Sequence, residues 1–135
     1  MNLTEVMEAV GDRLDTIAGL RVFPHPTDAL TPPAAVVSVP DEIVYDETYG
    51  RGMDRITLPL VVVVGKAFDR AAMTNLAAYA DGSGAKSVKA VLESGSYTAF
   101  DTVRVMRAEF DVVRIASSDY LAAMFDLDIA GQGAS

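Results

Sequence analysis

The chain has 135 residues, half of them hydrophobic, with 19 acidic against 11 basic side chains and a formal net charge of −8. That length suits one domain with a core of its own, and the acidic balance argues against the concentrated basic surface that tight binding to nucleic-acid phosphates needs. Without cysteine there is no disulfide framework and no thiolate metal site.

The first segment reads as a helix. Leu3, Val6, Met7, Val10, Leu14 and Ile17 fall on one apolar stripe, and Glu5, Glu8, Asp12 and Asp15 populate the other face. Asn2 and Glu5 have capping-box spacing, and Gly19 stands as the expected C′ residue. The opening MNLTEVMEAVGDRLD has neither the basic nor the apolar region of a secretion signal. A cytosolic setting is expected.

Leu20–Phe23 is a short strand stopped by Pro24 and Pro26, and Ala35–Val39 is a second strand ended by Pro40. A polar arm at 41–54 follows, with five acidic residues and two tyrosines. Arg55–Val64 is a long strand, apolar on both faces near Val64, so that end should be covered twice. Pro59 cannot donate to a ladder, which calls for an edge or a bulge beside it. The apolar run Leu58–Val64 is far short of the ~20 residues that span a bilayer. No polybasic membrane patch accompanies it: the lysines are only Lys66, Lys86 and Lys89, and the arginines are scattered.

Asp69 caps a second predicted helix to about Ala80, burying Met73, Leu76, Ala77 and Ala80, with Gly82 as its stop. Ser87–Ser94 is a short third helix with Val88, Val91 and Leu92 inward. The remainder reads as strands at Thr102–Met106, Ala108–Ile115 and Tyr120–Ile129, with Ser117-Ser118-Asp119 turning between the last two. The apolar phase shifts near Arg107, which marks a bulge or a break. Residues 131–135 read as a flexible tail. Segregated helices on one side of a mostly antiparallel sheet make the fold class α+β, a single domain over 1–130.

Chemistry is sparse. His25, the lone histidine, stands between two prolines, and a general base needs a positioned partner and a tuned pKa. The stretch from Gly82 to Ser87 imitates a phosphate-binding loop, but Ala85 stands before Lys86 where glycine is required. A helix also precedes it where a strand should; a turn between two helices, with Ser87 as N-cap, fits better. Asp41, Glu42, Asp46, Glu47 and Asp54 lack the order of a calcium loop. No enzymatic activity, cofactor or metal is therefore expected, and the competing reading is a small-ligand or enzymatic domain built on His25 and the acidic arm. Loops of that length are usually functional or disordered, and Tyr45 and Tyr49 suit a protein contact, where a ring is buried and its hydroxyl stays wet.

The second half has a recognisable order of landmarks: Tyr79-Ala-Asp-Gly-Ser-Gly-Ala-Lys-Ser-Val-Lys-Ala-Val-Leu-Glu93, then Ser96-Tyr-Thr-Ala-Phe-Asp-Thr-Val-Arg-Val105, then Tyr120-Leu-Ala-Ala-Met-Phe-Asp-Leu-Asp-Ile129. From about Asp69 to Gly133 it resembles the tail terminator proteins of long, non-contractile-tailed phages of actinobacteria, similar in role to the minor tail protein U group. The resemblance implies an α+β protomer that forms a ring, usually a hexamer, in the virion at the head-proximal end of the tail, assembled in the host cytoplasm. Such a ring stops the polymerisation of the tail tube protein and meets the head-neck connector protein, and genome DNA passes through its lumen without specific binding. No membrane is involved. The residues expected at protomer contacts are Tyr45, Tyr49 and Arg51 in the arm and Tyr120 at the start of the last strand.

Overall fold

The computed structural model describes residues 1–23, 32–45, 53–67, 69–115 and 118–132. In chain order the elements are α1 (Leu3–Leu14), β1 (Arg21–Phe23), β2 (Ala34–Val37), β3 (Glu42–Val44), β4 (Met53–Lys66), α2 (Arg70–Ala80), α3 (Val88–Glu93), β5 (Thr102–Ile115) and β6 (Ser118–Gln132). Among the described residues the strands form one sheet in the order β1-β2-β4-β6-β5, with β3 also paired to β4. All pairings are antiparallel except β1 with β2. The fold is α+β.

Local chemistry explains the helices. Asn2 Oδ1 accepts the Glu5 N–H at 3.1 Å and opens α1, whose Val6, Val10 and Leu14 are fully buried. The helix stops at Leu14, short of Ile17; Gly19 takes its positive φ of 81° in the turn beyond, not as the residue that closes the helix. Asp69 Oδ1 accepts the Ala71 N–H at 3.0 Å to start α2. Its inner face is Ala72, Leu76 and Tyr79, whereas Met73 and Ala77, expected inside, are exposed. The inner stripe lies about one residue round the helix from the expected one, with the Tyr79 ring in the core. Ser87 is the N-cap of α3: its buried hydroxyl accepts the Ala90 N–H and donates to the Asp81 carbonyl.

The sheet buries one face beneath these helices. Ile56 lies opposite Ile129, Leu58 opposite Leu127 and Leu60 opposite Phe125, and all six are essentially inaccessible. Each such side chain contributes roughly 1.5–3 kcal/mol through its burial. On the other face Arg55 pairs with Asp128, and Arg107 with Asp126 and Glu109. Near Val63 the second face is buried as well, with Ala34 and Ala122 flanking it.

Pro59 occupies a gap that removes its cost. Its carbonyl accepts the Ser38 N–H at 3.0 Å, so its backbone polar groups turn away from β6. On that side β2 ends opposite Leu60 and β3 begins opposite Thr57. The missing donor therefore falls where the ladder changes partner, and the pairing with β6 runs on uninterrupted. The irregularity in β4 is elsewhere, between Val63 and Gly65. There a Cβ on Gly65 would meet the Ala72 Cβ at 3.1 Å, a measure of how closely α2 approaches the sheet.

Three expected boundaries need correcting. The two strands expected at 102–106 and 108–115 are the single β5, bulged between Val105 and Arg107. Ser118 and Asp119, expected in a turn, pair with Ile115 and Arg114 in the ladder. Gly131 and Gln132, expected in the loose tail, pair with Asp54 and Met53. Of the arm at 41–54, β3 takes the start and β4 the end; residues 46–52 lie outside the described residues.

Candidate assembly surface

β5 ends the sheet, and its two halves meet different surroundings. Over the first half, α3 supplies a clamp: the Val105 N–H donates to Glu93 Oε2 at 2.9 Å, and Lys89 Nζ donates to the same oxygen at 2.7 Å. Burial opposes ionisation of Glu93, but these two donors outweigh it and hold the carboxyl below its ordinary range. A depression of about 400 Å³ beside this clamp is lined by Glu93, Tyr97, Asp101 and Arg104 among others.

Over the second half that cover is gone. Ala108, Phe110 and Val112 pair with Phe125, Ala123 and Leu121 and so share the helix-bearing side of the sheet. Yet Phe110 is 57% and Val112 49% exposed, and Met106 at the bulge is 53% exposed. The backbone is open here too. Val105 turns its N–H outward to Glu93, and strand alternation carried through the bulge makes Ala108, Phe110 and Val112 do the same. The Val112 N–H is met by the neighbouring Asp111 Oδ1 at 2.7 Å. Exposed edge strands with apolar side chains are templates for further pairing.

A second apolar exposure sits at the opposite edge. Val39, Val44 and Tyr45 are 64%, 37% and 69% exposed, beside the exposed acids Asp41 and Glu42. They surround β3, which lies across β4 from β6 and β5.

Of the residues expected at contacts, Tyr45 is open to solvent directly after β3. Tyr120 is half-buried near the start of β6, between Lys66 of β4 and Val113 of β5. One face of its strand is core, with Ala123, Phe125, Leu127 and Ile129 all buried, while Met124, Asp126 and Asp128 on the other face are partly exposed. Tyr49, Arg51 and His25 lie outside the described residues. Sequence reasoning missed Met106, Phe110 and Val112. The phase shift near Arg107 was the available signal, but it said nothing of where α3 stops.

Among the described residues no group of three or more His, Asp or Glu side chains is placed to hold a metal ion. No helix there is long and apolar enough to cross a membrane. Compared with known proteins, the chain matches no family model and no curated sequence.

Proposed function

We propose that this chain is a virion structural protein of the tail-terminator kind, a ring that caps the phage tail tube and joins it to the head-neck connector. The observation that carries the reading is the placement of apolar exposure. On a strongly acidic chain, Phe110 and Val112 lie on one sheet edge, with Val39 and Tyr45 on the opposite one. Scattered exposed apolar residues are ordinary, but clusters on strand edges are surfaces for other chains. A rigid sheet with a sticky edge at each end suits repetition, because head-to-tail contacts close into rings when the rotation permits. An acidic surface repels phosphate, so DNA can pass without adhering.

The order of landmarks from Tyr79 to Ile129 supports the tail assignment in particular. In this reading the protein catalyses nothing and takes no cofactor; its partners are copies of itself, the tail tube protein and the connector protein.

Negative-stain imaging of the purified protein mixed with tail tubes tests it. The expected result is a ring on one end of each tube and tubes of uniform length. Tube ends left bare at high protein concentration would overturn the reading.

A further inference from the structure

We infer that copies of this chain join by strand addition, the outer half of β5 on one copy receiving the β3 edge, residues 39–45, of the next. The inference rests on the ring reading and adds which surfaces meet.

Three observations carry it. The first is backbone: Phe110 and Val112 turn N–H and C=O groups away from β6, and among the described residues no strand pairs with them. An incoming strand gains main-chain hydrogen bonds there, with side-chain pockets adding specificity. The Asp111 carboxylate on the Val112 N–H is a local contact that a strand can displace. The second is charge. The outer half of β5 balances Arg107 and Arg114 against Glu109 and Asp111, whereas the 39–45 segment holds Asp41 and Glu42 and no base. On a chain of net charge −8, an edge with no net charge of its own is a place where an acidic strand meets little repulsion.

The third is topology. β3 and β5 lie on opposite sides of the β4–β6 pair. A contact between them is heterologous, so each copy keeps one free edge of each kind until the ring closes. Pairing two β5 edges with each other is the main rival. It would end at a dimer and leave the β3 edge unused.

The absence of cysteine gives a clean test. Tyr45→Cys and Val112→Cys replace exposed side chains, and circular dichroism confirms that each variant folds. A flexible bismaleimide is applied to each single variant, to their mixture and to the double variant, under conditions in which wild-type protein caps tubes. The mixture is expected to give a dimer at about tenfold the yield of either single variant, and the double variant a ladder of multimers.

A dimer from Val112→Cys alone overturns the pairing in favour of a β5–β5 contact. Rings that cap tubes without a Tyr45–Val112 cross-link overturn it too, while leaving the tail-terminator reading in place. Wild-type protein that neither associates nor caps tubes overturns both.

Discussion

The two halves of β5 obey one sequence rule and end in different environments. Val103 and Val105 are buried, whereas Phe110 and Val112, on the same face of the same strand, stand in solvent. The difference is set by α3, which has six residues and reaches only the first half, where Glu93 and Lys89 engage Val105. Alternation therefore specifies which way a side chain points, and the length of the covering helix specifies whether it is covered. An apolar face left uncovered on an otherwise well-packed sheet is a surface open to another chain.

The comparison is sharpened most strongly in the covered region. Leu127→Ala empties a fully buried site between Leu58 and Val105. Chemical denaturation should show a loss of about 3 kcal/mol, within the range for buried Leu→Ala changes. Gly65→Ala comes next. The new methyl meets the Ala72 Cβ at 3.1 Å, so α2 must lift by a few tenths of an ångström. A loss of about 1–2 kcal/mol is expected from overpacking, and a loss below the scatter of the measurement would show that α2 yields freely.

The α3 clamp gives a smaller effect with a pH signature. Glu93→Gln should cost about 1 kcal/mol, since the carboxylate is partly exposed and solvent screens its pair with Lys89. Because the folded carboxyl titrates below its ordinary value of 4.5, its contribution is complete above that pH and is lost as pH falls through the folded value. The stability gap between wild type and variant should therefore narrow as pH falls below about 4.5. A gap that stays constant into acid would mean that Glu93 acts through packing, with its charge irrelevant.

How much was legible in the sequence follows the same division. Patterns that depend on a few neighbouring residues could be read: the caps at Asn2, Asp69 and Ser87, the alternation in β6 and the phase shift near Arg107. Pro59 announced an irregular edge, though the sequence did not say that two strands, β2 and β3, would share β4 and leave the proline between them. The inner face of α2 differs from the expected stripe because Tyr79, whose ring and hydroxyl suit a core and a wet surface alike, is fully buried. The site was harder to see. Tyr45 was legible as an exposed aromatic in a polar arm, but Phe110 and Val112 carry the signature of core residues, and only the reach of α3 distinguishes them.

Phe110→Ser isolates that distinction, and its expected effect on the isolated fold is the smallest. The side chain is 57% exposed and its partner across the ladder, Ala123, stays buried under other elements. Truncating a side chain that water already reaches forfeits little transfer free energy, so the stability of the monomer should stay within about 0.5 kcal/mol of wild type. Phe125→Ser, on the same face of the neighbouring strand but 2% exposed, is the control that should unfold a large fraction of the protein. If Phe110 serves association, its replacement should abolish ring formation on tubes at concentrations where wild type assembles, with the denaturation curve unmoved. A variant that unfolds like the Phe125 control would place Phe110 in the core and remove the asymmetry between the halves of β5. A variant that assembles normally would leave the exposed half of that strand without a role in the ring.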